Sequence, residues 1–141
     1  MTDVHDKATR SYNMSRVRGK DTKPEMLVRK FLFSKGFRYR LHDKKLPGKP
    51  DIVLPKYKTV IFIHGCFFHG HENCRYFKVP ATRTAWWLDK IEGNKKRDRE
   101  SEKKLTELGW KVITVWECEL KKERETLQCL IESIIFKEIN N

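Results

Sequence analysis

The chain contains 141 residues, enough for one compact domain with its own hydrophobic core. It has no run of 18 or so consecutive apolar residues, which excludes a transmembrane helix. Its 31 basic and 19 acidic residues give a net charge of +12, which favours a polyanionic partner. Nucleic acid is the first such partner to consider, and an anionic membrane surface is the second.

The basic excess is concentrated near the N-terminus. Residues 1–50 contain 14 Lys/Arg and 5 Asp/Glu, a net charge of +9, whereas residues 101–141 contain 7 and 8, a net charge of −1. Residues 1–20 are polar and aperiodic, so we predict a basic arm that becomes ordered on a bound partner. The first ten residues lack an apolar stretch, so we expect no secretory signal and a reducing cytoplasm.

A helix is predicted after this arm. Asp21 and Thr22 are candidate N-caps, Pro24 suits the first turn, and Gly36 ends the helix. Glu25 has two interpretations. It is either a first-turn acid that interacts with the helix dipole, or a polar member of a site at the end of the sheet.

Three strands are predicted next. Residues 37–41 alternate between apolar and basic side chains, as a half-buried strand does. Residues 51–54 and 59–64 are β-rich runs that flank a short turn, which predicts a hairpin. If Leu54 faces Ile61, Asp51 faces His64. Asp51 would then be an oxygen ligand for a divalent cation beside a phosphate, or it would only complete the turn after a proline.

Residues 64–74, HGCFFHGHENC, contain a candidate zinc site. Cys66, His71 and Cys74 have spacings typical of metal ligands, and Cys118 could complete a Cys3His set. The alternative is a group of buried free cysteines. His64 and His69 are left for chemistry, and His69 can exchange a proton near neutral pH.

Adjacent aromatic residues occur in this segment and at the start of the next predicted helix. These pairs are Phe67 with Phe68 and Trp86 with Trp87. Two consecutive side chains cannot both face one core. Such residues either insert between base steps of a bent duplex or cover the zinc site and the sheet edge.

The C-terminal half predicts a helix, a strand and a second helix. Thr84 is a candidate cap for a long helix that ends at about Leu108, and its polar middle is predicted to face solvent or a ligand. Residues 110–117 form a mostly apolar run typical of an interior strand. A final amphipathic helix contains Cys129 in its core or on its flank. The predicted order is α-β-β-β-α-β-α around one sheet, in a single domain spanning 1–141.

Three segments together resemble a known family. They are PDIVLPKYKTVIFIHGCFFHGHENC, FKVPATRT and LGWKVITVWECEL, and the similarity runs from about Asp3 to Cys118. They resemble the very-short-patch repair (Vsr) mismatch endonucleases. The resemblance implies an α/β fold of the restriction-endonuclease-like PD-(D/E)xK group, with a mixed central sheet flanked by helices and a structural zinc site.

The resemblance also implies an activity. Members of this family nick one strand of duplex DNA 5′ to the thymine of a T·G mismatch, in a Mg2+-dependent reaction. Such mismatches arise by deamination of 5-methylcytosine, and the nick starts mismatch repair. The implied partners are double-stranded DNA with a T·G mismatch and other mismatch-repair proteins. The implied state is a monomer in the bacterial cytoplasm, at the nucleoid.

The family's site residues are implied position by position. Asp51 and the backbone carbonyl of Ile63 would bind Mg2+. His64 would assist at the metal or phosphate, His69 would be the general acid/base, and Glu25 would orient water or a histidine. The Zn2+ ligands would be Cys66, His71, Cys74 and Cys118. The residues entering or touching the DNA bases would be Met14, Phe67, Phe68, Trp87, Lys90 and Asn94.

Four positions depart from the family's usual pattern. Phe68 stands where tryptophan is usual, Ile63 replaces a threonine, and Gly70 replaces a histidine. One extra residue lies between His71 and Cys74, which affects the shape of the zinc loop. Two other functions remain open on the sequence: a related nuclease that cuts matched DNA, and a non-catalytic zinc DNA-binding module.

Overall fold

The computed structural model describes residues 22–75 and 77–136. Three α-helices and four strands follow one another in the predicted order α-β-β-β-α-β-α within these residues. In chain order they are α1 (Lys23–Ser34), β1 (Arg40–Leu41), β2 (Ile52–Leu54), β3 (Thr59–His64), α2 (Thr84–Glu107), β4 (Lys111–Trp116) and α3 (Glu123–Ile135). The basic arm and Met14 lie outside the described residues.

The strands form one mixed four-stranded sheet. Its order is β1-β2-β3-β4, with the first two pairings antiparallel and the β3–β4 pairing parallel. The prediction that 110–117 is an interior strand is wrong for the described residues, because β4 lies at the sheet edge. Residues 110–117 are mostly apolar because side chains on both faces of β4 pack against a core. Val115 packs against the core on one face and Val112 against the core on the other.

The hairpin is confirmed, but its predicted register is wrong by two residues. Leu54 pairs with Thr59 and Ile52 with Ile61, so the paired numbers sum to 113 and Asp51 lies opposite Phe62, not His64. The cause is a tight connection: a 3-10 turn over Pro55–Tyr57 whose following residue, Lys58, is left-handed. Because the shift is an even number, each side chain keeps its predicted face.

Helices cover both faces of the sheet. On one face, α1 and α3 pack against it through ten buried residues: Val28, Leu32, Phe37, Ile52, Leu54, Ile61, Val115, Leu127, Leu130 and Ile134. On the other face, Leu105 of α2 packs against Val53 and Val60. The two sets follow the alternation of β2 and β3, as expected for a sheet buried on both sides.

The predicted helix starts differ in their accuracy. Thr22 caps α1 as predicted, since its hydroxyl accepts a hydrogen bond from the backbone N–H of Glu25 at 3.4 Å. Thr84 does not cap α2. It is the first helical residue, and its hydroxyl donates to the carbonyls of Pro80 and Ala81. The N-cap position belongs to Arg83, which has a left-handed backbone.

Two smaller points complete the fold. The predicted strand over 37–41 is regular only at β1, although Phe37 is buried as its alternation predicts. Cys129 is exposed on α3, so it is a flank residue and not a core residue. Among the described residues, no helix is both long and apolar enough to cross a membrane.

Candidate active site and metal centre

The loop that follows β3 and the 3-10 turn that follows β4 bring the four predicted zinc ligands together. Local turns fold the loop back on itself, with the His71 N–H donating to the Cys66 carbonyl at 2.9 Å. Ligand atoms of Cys66, His71, Cys74 and Cys118 all lie within 4.8 Å of one another. The four ligand atoms therefore come together despite the extra residue between His71 and Cys74. Asn73, which lies in this interval, adopts a left-handed backbone.

The distances in this cluster fit a tetrahedral zinc ion. Cys118 Sγ lies 3.4 Å from His71 Nδ1, and zinc bonds of usual length would separate such a pair by about 3.6 Å. Burial, followed by the neighbouring sulfurs, raises the pKa of Cys118 to about 12. Burial likewise raises the pKa of the Cys66 thiol. A bound cation would compensate the clustered thiolates, so the donor set suits zinc.

The loop is fastened to α2 on its other side. Lys95 forms an ion pair with Glu72 at 3.1 Å, and the Asn94 amide donates to the Phe68 carbonyl at 2.8 Å. Gly70 has a φ of +60°, and a Cβ there would lie 2.8 Å from the Ile91 side chain. A histidine would be strained at this φ and would require the Ile91 and Lys95 side chains to shift, so glycine suits this loop.

A cavity of about 610 Å³ lies between the end of β3, α1 and α2. It brings together most of the residues predicted for chemistry and base contact. Among the residues that line it are Glu25, Asp51, Ile63, His64, Phe68, His69, Lys90 and Asn94. Residues separated by up to 69 positions, from 25 to 94, therefore converge on one concave surface.

The two catalytic candidates from the loop are stacked. The rings of His64 and His69 are parallel, with centroids 3.8 Å apart. His69 Nδ1 lies 2.7 Å from Asp98 Oδ2, which leaves Nε2 as the nitrogen available for proton transfer. Burial and the neighbouring His69 lower the pKa of His64 to about 4, so the His64 ring is neutral at pH 7. Within the described residues, no hydrogen-bond partner reaches the buried His64 Nδ1.

Asp51 and Glu25 place two carboxyl groups in the same cavity as the stacked histidines. Asp51 Oδ2 accepts a hydrogen bond from the Ile63 N–H at 2.7 Å. Burial raises the pKa of Asp51, and the charge of Glu25 adds to this increase, while the Ile63 hydrogen bond opposes it. Glu25 is only 2% exposed and binds Arg29 and His42. A carboxylate held in this way suits a hard divalent cation.

The aromatic residues form a cluster beside the cavity. The Phe67 ring lies 5.2 Å from both the Phe68 and Trp87 rings, in edge-on geometry. Trp86 continues the cluster and is 45% exposed. Of these residues, only Phe68 lines the cavity.

Trp116 links the metal cluster to the cavity. Its ring stacks on His71 with centroids 4.0 Å apart and meets the His64 ring edge-on at 5.2 Å. The β3–β4 register, which pairs His64 with Trp116, produces this contact. Trp116 therefore contacts both a candidate metal ligand and a catalytic candidate.

Sequence reasoning missed three residues of this site. Asp98 follows Lys90 and Asn94 at intervals of four, so helical spacing marks all three as one face. The sequence signal for His42 was weaker than that for Asp98, because it consisted only of a histidine next to a predicted strand. Trp116 was assigned only to a strand, and nothing local in the sequence places it against three histidines.

Comparison with known proteins identifies relatives over nearly the whole chain. Residues 2–75 match the family model described as DNA mismatch endonuclease Vsr. The chain is 53% identical to the type II nicking enzyme V.NmeAIP of Neisseria meningitidis serogroup A over 137 residues, covering 95% of this chain and 97% of the relative. It is 50% identical to the DNA mismatch endonuclease Vsr of Escherichia coli K12 over 135 residues, covering 95% and 86%.

These matches identify the class of enzyme and the family of this chain. The α/β fold, the cavity with its histidines and carboxylates, and the relatives together define a DNA endonuclease. The chain belongs to the DNA mismatch endonuclease Vsr family.

Proposed function

We propose that this protein nicks duplex DNA 5′ to the thymine of a T·G mismatch and thereby starts very-short-patch repair. One observation carries the proposal: Glu25, Asp51, His64 and His69 converge in one cavity. The cavity adjoins the aromatic cluster, whose Trp86 is exposed, and a group of basic residues on α2 that includes Lys90, Lys96 and Arg97. A histidine that can exchange a proton, next to a carboxylate that can bind a cation, is a combination suited to phosphodiester hydrolysis.

Asp51 and the Ile63 carbonyl are the proposed ligands of a catalytic Mg2+. Asp51 already contacts the Ile63 peptide through the N–H, which keeps its carboxylate next to that backbone. When bound, the cation would neutralise charge on the phosphate and lower the pKa of a bound water. Glu25 is buried beside Asp51 and would hold water molecules in that region.

His69 is the proposed general acid/base. Its hydrogen bond to Asp98 fixes the ring and its tautomer, so that Nε2 can take a proton from water or give one to the leaving oxygen. The neutral His64 ring stacks on it and restricts its movement. His64 would itself contact the metal or the phosphate through a ring nitrogen.

The remaining proposed contacts concern DNA. Phe67, Phe68 and Trp87 are proposed to enter the base stack, which costs least where a pair is mismatched. Lys90 and Asn94 would touch bases around the mismatch, as would Met14, which lies outside the described residues. The basic arm over 1–20 would close over the duplex. The Asn94 amide now holds the Phe68 carbonyl, so it would have to exchange that partner for a base.

The finer structural assignments belong to the same proposal. The mixed sheet with helices on both faces is consistent with a restriction-endonuclease-like PD-(D/E)xK core in a single domain over 1–141. Zn2+ at Cys66, His71, Cys74 and Cys118 would be structural, because all four ligand positions are protein atoms. The enzyme would act as a monomer on chromosomal DNA at the bacterial nucleoid, before other mismatch-repair proteins.

A nicking assay on labelled duplexes tests this function. Matched and T·G duplexes of the same sequence are incubated with Mg2+ or with EDTA, and both strands are followed separately. We expect a single nick 5′ to the mismatched thymine, only with Mg2+. Equal cutting of matched and mismatched duplexes would instead favour a nuclease for ordinary DNA, and binding without cutting would favour a DNA-binding module.

Asp98→Asn should slow nicking by about 10- to 100-fold, the usual effect of losing a carboxylate that orients a functional histidine. An amide cannot accept from the His69 ring with the same strength, so the ring loses its fixed tautomer. DNA affinity in EDTA should change little, because Asp98 carries no positive charge for phosphate. An unchanged single-turnover rate would contradict the role assigned to this hydrogen bond.

A further inference from the structure

His42 lies between the two carboxylates of the cavity region and has no role in the proposed function. Its Nε2 is 3.0 Å from Glu25 Oε2, and its Nδ1 is 3.9 Å from Asp51 Oδ1. Its backbone N–H also donates to the Asp51 carbonyl at 3.1 Å. His42 is thus next to both the main chain and the side chain of Asp51.

The backbone of His42 is itself unusual. Its φ is +49°, in the left-handed region that only a few per cent or so of residues other than glycine adopt. In this conformation, directly after β1, the ring lies between Glu25 of α1 and Asp51. Backbone strain of this kind is retained where the surrounding structure requires a particular placement.

The contacts of the His42 ring are those of a residue that positions a neighbouring side chain, and not those of a metal ligand. The two carboxylates face different nitrogens of the ring, so the imidazole stands between them and does not point one nitrogen at a shared centre. Glu25 Oε2 is also engaged by the Arg29 guanidinium at 3.1 Å, which disfavours a metal cation at that oxygen. Glu25 is therefore the closer partner of His42, at 3.0 Å, and Asp51 is the more distant one, at 3.9 Å.

We propose that His42 is a positioning residue that, anchored on Glu25, holds the Asp51 carboxylate in the orientation that binds the catalytic cation. The inference rests on the proposed metal role of Asp51. The Ile63 N–H holds Oδ2 of Asp51 at 2.7 Å, and the His42 ring lies 3.9 Å from Oδ1, so the ring limits rotation of the carboxylate about the oxygen that is held. A carboxylate oriented in advance binds a cation more tightly than one that must rotate into place.

A matched pair of substitutions tests this role. His42→Gln keeps a donor near the position of Nε2, which contacts Glu25, so its amide stays anchored there and stands beside Asp51. His42→Met has similar length but no group that Glu25 can hold. Both replacement side chains are unbranched at Cβ, and both must adopt the same left-handed backbone conformation at position 42. Mn2+ binding to the DNA-free protein, followed by electron paramagnetic resonance, is measured alongside the Mg2+ concentration for half-maximal nicking.

We expect His42→Met to weaken Mn2+ binding about 10- to 100-fold and to raise the half-maximal Mg2+ concentration similarly. His42→Gln should remain within a few-fold of wild type. Equal Mn2+ affinities for the two variants, whether both normal or both weak, would overturn the inference, as would wild-type protein that binds no Mn2+. Wild type that binds Mn2+ but does not nick refutes the proposed function, and the affinities still decide the inference.

A second pair of variants separates function from folding. His42→Gly and Lys58→Gly each relieve a left-handed residue, and Lys58 lies at the opposite end of β3 from the cavity. We expect both glycine variants to keep or raise the wild-type melting temperature. Only His42→Gly should lose Mn2+ affinity. A large fall in its melting temperature with unchanged Mn2+ affinity would assign His42 to the fold alone.

Discussion

Asp51→Asn should reduce the nicking rate about 1,000-fold or more, equivalent to about 4 kcal/mol of lost transition-state stabilisation. The substituted amide has nearly the same shape and can still accept the Ile63 N–H, but it lacks the negative charge that binds the cation. Single-turnover nicking of a T·G duplex at saturating Mg2+ measures the effect. The rate, and not only the Mg2+ requirement, should fall.

The same substitution should not destabilise the metal-free fold. Burial raises the pKa of Asp51, so the stability that this carboxyl contributes is present at low pH. It is lost as the pH rises from the ordinary carboxyl range through the raised pKa. At pH 7 the charged form is therefore unfavourable, and the Asp51→Asn variant should melt at the wild-type temperature or above it.

Asp89→Asn is the matched control, because Asp89 is an exposed acid on α2 that does not line the cavity. It should nick at close to the wild-type rate. An Asp51→Asn protein that is folded and fully active would remove Asp51 from the proposed chemistry. Equal losses in both variants would mean that the general charge of the surface, and not this carboxylate, controls the rate.

Cys118→Ser should cause the largest loss of stability. It removes one of the four proposed zinc ligands, and the remaining three donors would not retain the ion firmly. Structural zinc supplies about 10–16 kcal/mol in small zinc-finger peptides. Even about 3 kcal/mol would lower the melting temperature by roughly 10 °C in a chain of this size. Zinc content by mass spectrometry and thermal unfolding measure the result.

Cys129→Ser provides the control, since Cys129 is exposed on α3 and outside the cluster. It should keep its zinc and its melting temperature. A chelator should reproduce the Cys118→Ser effect in wild type, and more readily at lower pH, because raised thiol pKa values make protons stronger competitors for the sulfurs. Unchanged stability without zinc would contradict a structural role for the metal.

Loss of zinc should also impair nicking through the loop. His64 and His69 flank Cys66 and His71 in sequence, and Trp116 stacks on His71 while touching His64. The stacked rings of His64 and His69 are therefore linked to the metal cluster in two ways, through the chain itself and through Trp116. The structure gives a physical reason for interleaving ligands and catalytic candidates within eleven residues, since one ion can fix both sets.

Local sequence determined much of this protein. The spacing of Cys66, His71 and Cys74 predicted a metal loop, the alternation of 51–54 and 59–64 predicted a hairpin, and the order of helices and strands was correct. These features depend on side chains only a few positions apart. Spacing and periodicity in the chain therefore specify them directly.

Only the tertiary structure decided the partners within the site. His69 meets Asp98, and Asp51 meets Ile63 instead of His64, because a 3-10 turn shifts the hairpin and α2 crosses the loop. His42, with its left-handed backbone, lies between Glu25 and Asp51, residues 17 positions before it and 9 after it. Such contacts join residues far apart in the chain, and they follow from how whole elements pack, which local periodicity does not specify.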